Sequence, residues 1–352
     1  MINVGIYGAT GYMGGELIRI CLEHPQISIK WATSRNIADG LYTYHPNLYG
    51  HKVNLIHPDD ISPCDAYLVA LPIEAAIEIG ANLLELGGKL IDLSAAFRLK
   101  QQSVWESVYE MPHPQWDLAQ QSVYGITELH KTDIAQTRLV ANPGCFSSVV
   151  ILGLAPLLKN QWLDEQKITV TGLSGTAGVG AELSKAAYHP EIANNLVPYN
   201  VVDHRHSYEM EQELGAVAKH SLGIHFTPVY VPIVRGILAI CHVFPKNELN
   251  KKEIAESFES YYAHSEFVKF YDCPKQEQAT WQYRPYPWVS TVAGTNYCFI
   301  SYDIDYARNR LVVFSVLDNL GKGGAHVAIE NLNIMFGLNP KTGLSRIGCH
   351  PV

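Results

Sequence analysis

The chain has 352 residues, 47% of them hydrophobic and 17% charged, enough apolar surface for about two domains and too much for a disordered or low-complexity chain. Lys and Arg number 26 against 34 Asp and Glu, a formal net charge of −8, so no general basic field exists to hold a nucleic acid. Seven cysteines, odd in number, scattered and free of CxxC spacing, argue against a disulfide framework and a zinc cluster, and no metal site is expected.

The longest uncharged apolar run, Leu139 to Leu158, contains Asn142, Pro143, Gly144, Ser147, Ser148 and Pro156. A bilayer core would penalise these residues, so no membrane span is expected. A strand-like segment begins at Ile2 without a basic or apolar leader before it, and the expected location is the cytoplasm.

The first predicted strand, Ile2 to Tyr7, runs into Gly8-Ala9-Thr10-Gly11-Tyr12-Met13-Gly14 and then into the helical pattern Leu17, Ile18, Cys21, Leu22, with Pro25 beyond it. A strand, a GxxGxxG turn and a helix place free helix N-terminal N–H groups where a dinucleotide's pyrophosphate would sit. A second strand, Ile27 to Thr33, ends at Ser34-Arg35, about 20 residues after the last glycine, where a dinucleotide fold reads the adenosine ribose. No carboxylate stands there for a free 2′-OH. A hydroxyl and a guanidinium suit a 2′-phosphate, which favours NADP(H) over NAD. Apolar runs at Ala66 to Leu71, Lys89 to Leu93 and Leu139 to Ala141 alternate with helix-compatible stretches, as in a doubly wound parallel sheet. The stretch from Lys100 to Gln121 is polar, aromatic and expected to be irregular.

After the run at Leu139 comes Ala141-Asn142-Pro143-Gly144-Cys145, followed by an apolar segment, Val149 to Leu158, compatible with a helix. Cys145 therefore falls at or near a helix N-terminus, where the dipole and free N–H groups favour the thiolate. Two readings stand for it: a nucleophile, or a buried cysteine in a strand-to-helix elbow. A thiol nucleophile needs a proton-transfer partner, and the densest group of candidates is His204-Arg205-His206 with Glu209, Glu211 and Glu213 behind it. Farther on, Phe226 to Phe244 and Tyr297 to Leu317 are rich in β-branched and aromatic residues, with Arg308-Asn309-Arg310 as a hairpin turn. Ala325, Ala328, Ile329, Leu332 and Phe336 then share one helical face between the glycines at 321–324 and Gly337. The glycines before that helix would let backbone approach a nicotinamide or its phosphates.

In this order the motifs Gly8 to Gly14, Thr33-Ser34-Arg35, Ile91-Asp92-Leu93-Ser94, Val123-Tyr124-Gly125-Ile126, Ala141 to Cys145, His204-Arg205-His206, Phe226-Thr227-Pro228 and Asp318-Asn319-Leu320-Gly321-Lys322-Gly323 carry a resemblance. Over nearly the whole chain, the sequence resembles the N-acetyl-γ-glutamyl-phosphate reductase family of the semialdehyde dehydrogenase superfamily. The resemblance implies an α/β protein with a Rossmann-type NADP-binding domain, residues 1–143 plus 318–352. Residues 144–317 would form an α+β catalytic and dimerisation domain with a mixed, largely antiparallel sheet. It implies reduction of an acyl phosphate to an aldehyde by NADPH through a cysteine thioester, with release of inorganic phosphate, by a homodimer or homotetramer in arginine biosynthesis.

Mapped onto the motifs, Cys145 takes the nucleophile's position and His206 the acid/base position. Asn142, His204, Arg205 and Glu209 fall to the substrate; Gly8, Thr10, Gly11, Tyr12, Met13, Gly14, Ser34, Arg35, Ser94 and Asn319 fall to the cofactor. The chain departs from the family pattern at Ile73-Glu74 (His-Gly in the family), Ala96 (Asp) and Phe146-Ser147-Ser148 (Tyr-Pro-Thr), which bears on the acyl group. The same chemistry on a carrier-linked aminoadipyl or glutamyl phosphate is one alternative. A catalytically inactive NADP-binding redox regulator is another, against which the retained Cys145 and His204/His206 argue.

Overall fold

The structure, a computed structural model, describes residues 1–36, 40–270, 286–344 and 347–349. Cys273 and residues 345–346 and 350–352 of the expected C-terminal return lie outside the described residues. The described residues fall into two compact units, one within Met1–Pro143, Gly180–Glu182 and Gly324–Ser345, the other within Gly144–Val179, Leu183–Gly323 and Arg346–Val352.

The first unit begins with β1 (Ile2–Tyr7), α1 (Tyr12–Glu23), β2 (Ile27–Thr33), α2 (Gly40–Tyr44), β3 (Leu55–Ile56), β4 (Ala66–Val69), α3 (Ile73–Glu85) and β5 (Lys89–Asp92). It continues through α4 (Gln102–Tyr109), α5 (Trp116–Gln121), β6 (Val123–Tyr124), α6 (Thr127–Gln136) and β7 (Leu139–Ala141). The strands form one sheet in the order β3-β2-β1-β4-β5-β7-β6, and its strand pairs are parallel. Val4, Ile6, Ala66, Leu68 and Ile91 are buried within it, and Leu17, Ile18, Ile20 and Cys21 bury one side of α1. Strand order reverses between β1 and β4, and a ligand cleft forms at the carboxyl ends on either side of such a switch point.

The stretch expected to be irregular between Lys100 and Gln121 contains α4 and α5. Each is too short to display an apolar period, and one aromatic anchor holds them instead. Trp105 is fully buried, donates Nε1–H to the carbonyl of Ala95 at 3.1 Å, and stands edge-on to His113 with centroids 4.4 Å apart.

The second unit opens with α7 (Cys145–Lys159), β8 (Ile168–Ser174), α8 (His189–Ile192), β9 (Val197–Pro198), α9 (Arg205–Ala218), β10 (Ile224–Tyr230) and β11 (Ile237–Val243). It goes on with α10 (Lys251–Tyr261), β12 (Val268–Phe270), β13 (Cys298–Asp305) and β14 (Arg310–Leu317). Its sheet runs β12-β13-β14-β11-β8-β10-β9, with β8/β10 and β12/β13 parallel and the other pairs antiparallel. Helix α7 starts four residues earlier than the apolar run suggested and is buried along nearly its whole length, from Phe146 to Leu158. It packs on the face carrying Val313 and Ser315, near which Gly153 sits. Asn309 supplies the left-handed residue of the expected hairpin turn, at φ 45°. The chain then returns to the first unit as α11 (His326–Met335), which follows directly on a π-helical turn at Gly321–Ala325.

Candidate active site

In the first unit, Gly11 caps α1 in an extended conformation with no side-chain cap, which leaves the first N–H groups of the helix to a ligand. Tyr12, Met13 and Gly14 make that first turn. A cleft of about 850 Å³ opens there, lined among others by Gly8, Thr10, Gly11, Ser34, Arg35 and Pro72. Buried His45 bonds the carbonyl of Ala9 through Nε2 at 2.8 Å; a carbonyl only accepts, so the ring nitrogen carries the proton. An open helix N-terminus for a diphosphate and an exposed guanidinium at the end of β2 fit a nicotinamide dinucleotide.

Several residues expected at ligands also hydrogen-bond within the fold. Ser34 donates its hydroxyl to the carbonyl of Asn36 at 2.8 Å and accepts the N–H of Asn36 at 3.1 Å, so it shapes the turn that presents Arg35. Ser94 donates to Asp92 Oδ2 at 2.8 Å and accepts from the N–H of Ala96 at 3.0 Å. Burial pushes the carboxyl of Asp92 up to about 6, although Ser94 and Arg98 oppose the shift. Asn142 is buried, donating to the carbonyl of Gly324 at 3.1 Å and accepting from Asn331 at 3.4 Å. These bonds tie β7 to the start of α11. Asn319, in the second unit, is likewise buried and accepts the N–H of Gly236 at 2.6 Å.

The second unit brings Cys145, His206 and Glu209 together. Cys145 is half-buried as the first residue of the 15-residue α7, at the positive end of the helix dipole. Gly144 donates its N–H to Glu209 Oε2 at 3.0 Å, and a Cβ on Gly144 would lie 2.7 Å from His206 Nε2. Only glycine lets the imidazole approach this closely. Glu209 is fully buried and its Oε1 lies 4.0 Å from His206 Nε2, so it braces the elbow and the imidazole from beneath. Gly323 packs equally tightly, since its Cβ would fall 2.8 Å from Cβ of Cys145. The glycine-rich approach to α11 thus backs the thiol.

His204 caps α9, its Nδ1 accepting the N–H of His206 at 3.1 Å. Burial, with neighbouring Arg205, lowers its pKa to about 4, and the neutral ring keeps the acceptor that the cap requires. Arg205 is exposed beside it. Around them Phe146 stands 6.1 Å from each imidazole centroid and 5.0 Å from Phe226.

Sequence reasoning missed five side chains. His45 braces the glycine turn. Asp92 and Arg98 hold the loop after β5, Arg98 donating to the carbonyls of Asn142 at 2.8 Å and Leu93 at 3.0 Å. Tyr199 and Tyr230 stack near His204; the position of Tyr230 at the carboxyl end of a strand was the one available signal.

A dinucleotide cleft in a doubly wound sheet and a cysteine elbow backed by histidine and glutamate define a nicotinamide-dependent oxidoreductase. The family model for the semialdehyde dehydrogenase NAD binding domain matches residues 3–137, and that for the semialdehyde dehydrogenase dimerisation domain matches residues 145–319. The chain belongs to the semialdehyde dehydrogenase family. It is 36% identical over 356 residues to N-acetyl-γ-glutamyl-phosphate reductase of Desulforamulus reducens and 39% identical over 358 residues to that of Methanopyrus kandleri, covering 100% of both chains each time. It is also 38% identical over 359 residues, again covering 100% of both, to a protein of Thermomicrobium roseum named as a LysW-L-2-aminoadipate 6-phosphate reductase. Among solved structures, aspartate semialdehyde dehydrogenase II of Vibrio cholerae shares the fold, with a TM-score of 0.70 at 17% identity over 96% of this chain and 98% of that one.

Proposed function

We propose that the protein reduces N-acetyl-γ-glutamyl phosphate to N-acetylglutamate semialdehyde with NADPH, releasing inorganic phosphate. The observation that carries this reading is the elbow: a thiol at the N-terminus of α7, with His206 and Glu209 locked behind it through Gly144. His206 accepts the thiol proton, and Sγ of Cys145 adds to the acyl carbon. The carbon–oxygen bond to phosphate then breaks, leaving a thioester. A nicotinamide held by the cleft of the first unit supplies hydride when bound. The aldehyde leaves as the carbon–sulfur bond breaks, and His206 returns a proton to the sulfur. Arg35, presented by the Ser34 turn at the wall of the cleft, supports NADPH over NADH.

The same chemistry on a carrier-linked aminoadipyl phosphate is the second reading, favoured by the Thermomicrobium relative. We assign the chain to a homo-oligomer as well. The sheet face of the second unit opposite α7 carries Leu238, Ile240, Val312 and Phe314, all half-buried, and a stripe of this kind suits a second copy. Phosphate-dependent reduction of NADP+ with N-acetylglutamate semialdehyde tests the function in reverse. Turnover with that aldehyde supports it; turnover only with a carrier-linked aminoadipate semialdehyde replaces it with the second reading.

A further inference from the structure

Strands β2 and β3 end side by side in the sheet of the first unit. They pair in parallel with Thr33 beside Ile56, and Ser34 donates its N–H to the carbonyl of Ile56 at 3.0 Å. Arg35 follows the donor of that bond and His57 follows its acceptor, so the two side chains leave chain segments about one strand spacing, roughly 4.8 Å, apart. Both line the cleft of about 850 Å³ onto which Gly8, Thr10 and Gly11 also open. Arg35 is exposed and His57 half-buried, and the reading above gives His57 no task.

The imidazole of His57 is held by one edge. Its Nδ1 accepts the N–H of Asp59 at 3.4 Å, capping the 3₁₀ turn Pro58–Asp60, and lies 3.2 Å from Asp59 Oδ2. In the neutral ring, a nitrogen that accepts leaves the hydrogen on the other nitrogen. In the imidazolium both nitrogens carry hydrogen, and Nδ1 then faces the carboxylate of Asp59. Nε2–H is a donor in either state, and it has no partner among the described residues.

We propose that His57 is a second reader of the cofactor's 2′-phosphate, its Nε2–H bonding one phosphate oxygen while the guanidinium of Arg35 holds another. The inference rests on the preference for NADPH proposed above. A phosphate monoester offers three acceptor oxygens and more than one negative charge, so donors arriving from two adjacent strand ends are satisfied together. A free 2′-OH offers one oxygen and no charge. His57 is therefore a specificity residue, acting on the choice between the two cofactors.

The test measures binding by calorimetric titration in the full-length wild type, His57→Asn and His57→Phe. The ligands are NADPH, NADH, adenosine 2′,5′-bisphosphate and adenosine 5′-monophosphate, the last two reporting on the adenosine end alone. Asn keeps a capping acceptor for the N–H of Asp59 and loses the donor on the far edge of the ring. Phe keeps a flat ring for an adenine and has no donor. Both variants should bind NADPH and the bisphosphate about 10-fold more weakly, the scale of one hydrogen bond to a charged group, and NADH and the monophosphate within about 2-fold of wild type. Equal weakening of all four ligands, or unchanged affinity for NADPH, overturns the proposal. His57→Phe decides the point if His57→Asn folds poorly, and wild-type affinity for NADPH in His57→Phe overturns it by making His57 a platform for the base. A wild type that binds NADH as tightly as NADPH overturns the cofactor preference and this assignment with it. A preference that survives both variants unchanged overturns the assignment alone.

Discussion

The backbone N–H of Gly144 donates to Oε2 of Glu209 at 3.0 Å, which ties the residue preceding Cys145 to the carboxylate beneath His206. One side chain thus sets the position of the elbow and the electrostatic surroundings of the imidazole. Glu209→Gln keeps an acceptor for Gly144 and loses the charge. An imidazolium–carboxylate pair 4 Å apart is worth about 4 kcal/mol at an effective dielectric near 20, so turnover should fall roughly 10- to 1,000-fold with melting temperature close to wild type. Glu209→Ala should in addition lose about 1–3 kcal/mol of stability in denaturant titrations, because the buried N–H of Gly144 is left unpaired.

Cys145→Ser should abolish turnover while leaving NADPH affinity at the wild-type value in a fluorescence titration. A hydroxyl at the same helix N-terminus is scarcely ionised at neutral pH. Residual activity above a few per cent would remove Cys145 from the nucleophile's role.

His206 and His204 should respond differently to replacement by Asn. General acid/base catalysis contributes about 100- to 10,000-fold, so His206→Asn should lower kcat on that scale with little change in cofactor binding. His204→Asn retains a capping acceptor for the N–H of His206 and should lower kcat far less at pH 7. The opposite ranking would reverse the two roles.

The same His204→Asn variant has a pH signature in stability. The folded pKa of His204 is about 4, below the usual 6.5, so between those values the unfolded chain binds the extra proton. Stability from this group is full above pH 6.5 and is lost as pH falls toward 4. Relative to wild type, the variant should gain about 2 kcal/mol on going from pH 7 to pH 4.5, read as the difference between urea titrations. Asp92, raised to about 6, acts in the opposite sense over much of that range but is common to both proteins. An unchanged difference between the two pH values would show that His204 is not held neutral.

Arg35→Ala should raise the KM for NADPH by roughly 10- to 150-fold, the equivalent of a charge-assisted bond of about 1.5–3 kcal/mol. The KM for NADH should stay within about 2-fold. Equal changes for both cofactors would show that Arg35 does not read a 2′-phosphate.

What the sequence determines is local. The β1–GxxGxxG–α1 turn and the Pro143-Gly144-Cys145 elbow are contiguous, and their geometry follows from glycine, proline and an apolar run acting within one or two turns of helix. Both are legible from the residues, as are the alternating strands of the second unit.

The tertiary structure decides where polar side chains point. Ser34, Ser94, Asn142 and Asn319 sit in motifs that suggest ligand contacts, yet each spends hydrogen-bonding groups on protein partners. Two of those partnerships form within two residues, and the other two join residues 182 and 83 positions apart. Glu209 reaches Gly144 over 65 residues, and the Tyr199–Tyr230 stack exists only because β9 pairs with β10. A buried donor must be satisfied by whichever acceptor the packing brings to it, and that choice is fixed by sheet order and helix docking, which residue spacing along the chain does not encode.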